Sequence, residues 1–156
     1  MIRAMRQSDC TAIAALEAAN FDSAFTSEQL SHLMDQLSFC GFVADHAIDP
    51  AVSDQINGYI IGHIVADQAE ILTFAVQPAF RGQGRGWALL GQFLHQARQR
   101  GVIRVMLEVA ADNAAAQALY AAHGFIRSGV RPAYYKRPDG RCDAIMMAYC
   151  FTEAFS

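Results

Sequence analysis

The segment Phe74-Ala75-Val76-Gln77-Pro78-Ala79-Phe80-Arg81-Gly82-Gln83-Gly84-Arg85-Gly86 most narrows what this chain can become. An apolar, strand-like run stops at Pro78, and an amphipathic helix pattern begins at Gly84. Backbone amides at a helix start have no helical acceptor and suit an anion. Glycines let that backbone approach a phosphate closely, and Arg81 and Arg85 add positive charge. An ordinary glycine-rich loop fits the same residues. Two phosphate motifs are excluded. A P-loop needs Lys and then Ser or Thr after its last glycine, but Trp87 follows Gly86. A dinucleotide fingerprint needs a third glycine where Trp87 stands, and it follows the first strand of a repeated βαβ unit. Here three strands of antiparallel character precede the loop.

The remaining pattern alternates helix and strand. A short strand at 1–5 precedes a helix from Ser8 or Asp9 to about Asn20, with Ala12, Ile13 and Leu16 on one face. Thr26-Ser27-Glu28-Gln29 is a capping box, and Leu30, Leu33, Met34 and Leu37 follow at helical spacing. Strands are expected at 39–45, near 59–65 and at 70–76, with a turn or loop at 46–55 around Asp49-Pro50. A helix over 84–100 carries the stripe Leu89, Leu90, Phe93, Leu94 and Ala97, and Gly101 stops it. A strand at 102–109, a helix capped by Asp112 or Asn113 and ending at His123-Gly124, and strands at 125–128 and about 144–150 complete the order. The last two flank a turn at Pro138-Asp139-Gly140. With 156 residues and 53% apolar composition, this predicts one mixed α/β domain over 1–156.

Charge is divided unevenly. Residues 1–70 hold two arginines and ten acids, whereas 71–156 hold ten basic and five acidic residues. The halves then favour partners of opposite sign, unless the split is surface composition alone. A net charge of −3 argues against direct nucleic-acid binding. No basic stretch leads into an apolar run at the start, and no apolar run nears the ~20 residues that span a bilayer, so a cytoplasmic protein without membrane contact is expected. Cys10, Cys40, Cys142 and Cys150 lack C-x-x-C spacing, and no two histidines pair at i, i+4, so no metal is expected.

The surviving motif, Arg81-x-x-Gly84-x-Gly86 between strand and helix, resembles the [QR]-x-x-G-x-[GA] loop of the GNAT family of acyl-CoA-dependent N-acetyltransferases. From Glu70 to about Met147 the chain resembles the RimI-like branch, which acetylates the N-terminal alanine of a small-subunit ribosomal protein. Leu107-Glu108-Val109, Asp112-Asn113-Ala114-Ala115-Ala116, Ala118-Leu119-Tyr120, Gly124-Phe125, Arg131-Pro132-Ala133-Tyr134-Tyr135 and Asp143-Ala144-Ile145-Met146-Met147 carry this likeness. It implies a GNAT fold, a central, mostly antiparallel sheet flanked by helices. It also implies acetyl-CoA as donor, and a CoA pyrophosphate on Arg81, Gly82, Gln83, Gly84, Arg85 and Gly86. The family's pantetheine pairs with a strand edge where this chain has Phe74, Ala75 and Val76. The implied acceptor is the N-terminus of a ribosomal protein, and the acidic first half of the chain, which in the family helps form the acceptor site, favours a basic peptide there.

Several residues keep two readings. Glu108 lies in an apolar strand, as a general base for the attacking amine or as half of a salt bridge to an arginine. Tyr120 is the proton donor to the CoA thiolate or a packing tyrosine. Ala115, Ala118, Leu119 and Ala122 look like the core stripe of its helix, which points Tyr120 away from the core. Asn113 serves as N-cap, pantetheine partner or both. Tyr134 and Tyr135 wall the acceptor channel or simply pack. Trp87 packs or covers the nucleotide. Against the N-terminal acetyltransferase stand a GNAT enzyme for a small-molecule amine and a non-catalytic acyl-CoA-binding module. Glu108 and Tyr120 together disfavour the last, since mere binding needs neither.

Overall fold

Residues 39–45 and 56–65 are apolar at almost every position because both faces of their strands are covered. The computed structural model describes residues 1–46 and 55–151. Its elements are β1 (Ile2–Ala4), α1 (Cys10–Asn20), α2 (Ser27–Met34), β2 (Phe39–Asp45), β3 (Ile56–Val65), β4 (Gln68–Val76), α3 (Arg85–Gln99), β5 (Arg104–Ala110), α4 (Ala114–His123), β6 (Ile126–Arg137) and β7 (Gly140–Cys150). One seven-stranded sheet has the order β1-β2-β3-β4-β5-β7-β6. Among the described residues, only β4 and β5 pair in parallel.

Strand alternation sorts the core into two layers. Val43, Tyr59 and Ile61 pack with Ile13 of α1 and Leu30 of α2. Phe42, Ala44 and Ile60 face the other way, into Leu89, Leu90, Phe93, Leu94 and Ala97 of α3. The predicted α3 stripe is therefore the buried face. The capping box at Thr26 forms as read: Thr26 accepts from the Gln29 amide, and the Gln29 side chain accepts from the Thr26 amide. Arg3 closes the sheet edge, donating to Asp9 twice at 2.9 Å and to Asp45 at 2.8 Å.

Three expectations are corrected. α2 ends at Met34 and Leu37 is fully exposed, since the chain turns toward β2 before another helical turn could bury it. The final hairpin is far longer than its two apolar pieces. Its polar outer half, including Tyr134 and Tyr135, is held by edge pairing of β6 to β7 rather than by burial. On α4, Ala115, Ala118 and Ala122 are exposed, while Tyr120 is the buried residue and Ala116 and Leu119 pack against the core. The ring supplies far more apolar surface than three methyl groups, so it faces inward. Part of the expected loop at 46–55, residues 47–54, lies outside the described residues.

Candidate active site

The sheet opens where β4 and β5 part. Their parallel pairing covers only Gln68↔Arg104, Ala69↔Val105 and Glu70↔Met106. Beyond it β4 follows β3, with a register shift that leaves Leu72 without a partner, while β5 follows β7. A bulge of this kind bends its strand and separates it from a neighbour. Phe74, Ala75 and Val76 thus border a gap rather than a neighbouring strand.

A cavity of about 420 Å³ occupies this opening. Phe74, Ala75 and Val76 line one side, Arg81, Gly82, Gly84, Arg85, Gly86 and Trp87 the next, and Asn113 and Tyr120 the far side. All predicted donor-side residues meet here except Gln83, whose side chain accepts from Arg85 Nη1 at 2.6 Å. Gly82 and Gly84 have φ of +76° and +83°, which L side chains rarely adopt, and nothing crowds a Cβ at either. Backbone conformation, not space, requires glycine there. Gly84 caps α3 without a side-chain bond, and the first helical bond is Ala88 N to Gly84 O at 3.0 Å. The amides of Arg85, Gly86 and Trp87 therefore remain available to an anion at the cavity wall.

Arg81 does more than add charge. Its Nε donates to Val76 O at 2.9 Å and its Nη2 to Asn20 Oδ1 at 3.0 Å, which ties the end of α1 to the glycine loop. Asn20 and Phe21 consequently line the cavity. Sequence reading missed both, along with Glu17, which is 1% exposed. Glu17 accepts from the hydroxyls of Tyr59 and Thr73 and from the Phe25 amide. It thereby locks the α1–α2 connection to β4 beside Phe74. Its signal was a carboxylate four residues after Ile13, on the inward stripe of α1.

Tyr120 is buried between Phe74 and Phe125, at ring distances of 6.0 and 5.7 Å. Among the described residues its hydroxyl makes no hydrogen bond, and it is not sealed from the cavity that the residue lines. Burial, with Tyr135 nearby, pushes this phenol well above its ordinary value, so it stays protonated. Asn113 is the N-cap of α4, accepting from Ala116 N at 3.1 Å, and it also faces the cavity.

Glu108, Tyr134 and Tyr135 do not line this cavity but form a cluster at the β5–β7–β6 side. Arg131 Nη2 lies 2.9 Å from Glu108 Oε1. The salt-bridge alternative is therefore present, but Glu108 keeps 20% of its side chain exposed. β6 bulges between Arg131 and Tyr135, with Ala133 at φ 53° and its amide on Asp143 Oδ1 at 2.8 Å. This swings Tyr134 over Arg131, at 5.2 Å from the guanidinium, and edge-on to Tyr135. Burial first, then the Glu108 charge, pushes the Tyr135 phenol up to about 12. Tyr135 senses Glu108, and Tyr120 senses Tyr135, so the cluster adjoins the cavity at Tyr120.

The charge split shrinks on folding. Asp9, Glu17 and Asp45 of the acidic half are buried and internally bonded. Asp22, Glu28 and Asp35 remain exposed around α1 and α2. No helix among the described residues is long and apolar enough to cross a membrane.

The profile of the Acetyltransferase (GNAT) family matches residues 10–125. The chain is 34% identical over 140 residues to the [ribosomal protein bS18]-alanine N-acetyltransferase of Escherichia coli K12, covering 87% of this chain and 95% of that one. It is 33% identical over 143 residues to the Haemophilus influenzae protein of the same name, covering 87% and 96%. The crystal structure of the ribosomal-protein-S18-alanine N-acetyltransferase from Escherichia coli superposes with a TM-score of 0.85 at 29% identity, covering 100% of this chain and 98% of that one.

Proposed function

The chain belongs to the GNAT acetyltransferase family, and from that premise we propose that it moves the acetyl group of acetyl-CoA to a protein N-terminal α-amine. The substrate best supported is the N-terminal alanine of a small-subunit ribosomal protein, with residues 1–156 acting as one catalytic domain. One observation carries this reading: a single cavity joins the free amides of α3, the edge of β4 and the Tyr120 hydroxyl. That sequence of anion site, strand-like edge and proton donor matches the diphosphate, the amide-bearing pantetheine arm and the thioester of acetyl-CoA.

In this scheme the diphosphate rests on residues 81–86, with the arm along Phe74, Ala75 and Val76 beside Asn113. A backbone amide of β4 polarises the thioester carbonyl. The amine nitrogen attacks the carbonyl carbon, and a tetrahedral intermediate forms. Glu108, held by Arg131, takes the proton that nitrogen loses, directly or through a water. An α-amine with a pKa near ~8 needs only modest help. The C–S bond then breaks, and the Tyr120 hydroxyl donates its proton to the departing sulfur. Transfer is direct, within a ternary complex. Tyr134 and Tyr135 wall the acceptor side, and the exposed acids Asp22, Glu28 and Asp35 favour a basic peptide tail.

The test is acetyl-CoA turnover on N-terminal alanine peptides with basic tails, beside lysine peptides and free polyamines. Preferential turnover of the alanine peptides, declining as salt rises, is expected. Turnover of free amines with no peptide acetylated refutes the N-terminal assignment.

A further inference from the structure

Trp87 is the chain's one tryptophan, and it is 51% exposed at the cavity wall. That exposure leaves part of the indole free, at the wall of the cavity that the α3 amides also border. Its other side is braced. The His123 ring stacks on it at a centroid distance of 3.7 Å and 28° between planes. His123 Nε2 lies 3.2 Å from the Trp87 carbonyl oxygen, the geometry of an N–H donated to that carbonyl. Burial pulls the imidazole below its ordinary value, which favours the neutral ring in this stack. The end of α4 thus holds the first turn of α3, and the indole is set before any ligand arrives.

Resting on the acetyl-CoA reading, we propose that Trp87, braced by His123, is the stacking platform for the adenine ring of the bound cofactor. The Trp87 amide belongs to the same free set that faces the phosphates, and in CoA one ribose separates the diphosphate from the adenine. The indole therefore stands within one nucleotide of the anion site. The rival ring at the loop, Phe80, is already occupied: His46 stacks on it and the Arg85 guanidinium lies 4.7 Å from its centroid. An exposed indole face accepts a purine by stacking, without needing hydrogen-bond partners.

A lone tryptophan makes the test direct. The fluorescence of Trp87 is followed while CoA, 3′-dephospho-CoA and 4′-phosphopantetheine are titrated, with calorimetry giving each affinity. Both adenine-containing ligands should shift the emission, and phosphopantetheine should bind without doing so. Trp87→Leu should weaken CoA binding by roughly 5- to 150-fold, the span of one aromatic–base stack. It should leave phosphopantetheine affinity unchanged, and Trp87→Phe should recover part of the loss. If Trp87→Leu leaves the CoA-to-phosphopantetheine affinity ratio as in the wild type, the platform is refuted while the donor reading stands. If the wild-type protein binds no CoA, both fall together.

Discussion

Replacing Tyr120 by Phe separates chemistry from packing, because the two roles sit on different atoms of one side chain. The ring is buried against Phe74 and Phe125, and Phe keeps those contacts. The hydroxyl makes no hydrogen bond within the described residues, so its removal leaves no buried group unpaired, and stability should change by less than about 1 kcal/mol. Loss of a general acid lowers kcat by roughly 10²-fold, which is about 2.7 kcal/mol of barrier. Tyr120→Ala would confuse the two, since deleting a buried aromatic ring costs about 3–5 kcal/mol of stability. The assay is steady-state transfer from acetyl-CoA to an alanine peptide, paired with thermal melting. We expect a large fall in kcat, an unchanged KM for acetyl-CoA and an unmoved Tm. Burial holds the phenol protonated, so the wild-type rate should also show no descending limb from Tyr120 below about pH 10. An unchanged kcat, or a Tm that falls with kcat, refutes the reasoning.

Glu17→Ala strips an acceptor from the Tyr59 and Thr73 hydroxyls and the Phe25 amide, and should cost about 3–5 kcal/mol in urea unfolding; a loss under about 1 kcal/mol would mean those donors find other partners. Gly84→Ala forces a side chain to φ +83° without a clash, so about 1 kcal/mol of stability and a higher KM for acetyl-CoA are expected, with Gly84→Asn milder in both. His123 binds its proton less readily folded than unfolded, so its contribution is present above its ordinary value of 6.5 and is lost as pH falls through the lower folded value. Thermal melts from neutral to acidic pH should show a steeper decline for the wild type than for His123→Gln, and parallel declines would exclude this source.

Much of the cavity wall was legible because its signals are local. The free amides follow from a helix start, the positive φ at Gly82 and Gly84 from residue type, and the α3 stripe from a 3.6-residue period. The contacts that position Glu108 and the end of α1 were not, because they join segments far apart in the chain. No spacing in the sequence relates Glu108 to Arg131, or Arg81 to Asn20, yet these pairs close at 2.9 and 3.0 Å. The α4 face was misread for a related reason. Counting apolar positions made Ala115, Ala118, Leu119 and Ala122 a stripe, of which only Leu119 packs inward; burial follows area, and one ring exceeds three methyls.

What the sequence determined alone is the order of elements, the buried stripe of α3, and a glycine turn whose backbone conformation larger side chains rarely adopt. These depend on residue type and period. Only the tertiary structure decided that β4 and β5 part after three pairs, that Tyr120 serves core and cavity at once, and that Glu17 and Asp9 are internal struts rather than surface charge. The physical reason is that pairing register and burial are set by how distant segments compete for the same space. A local pattern cannot carry that information.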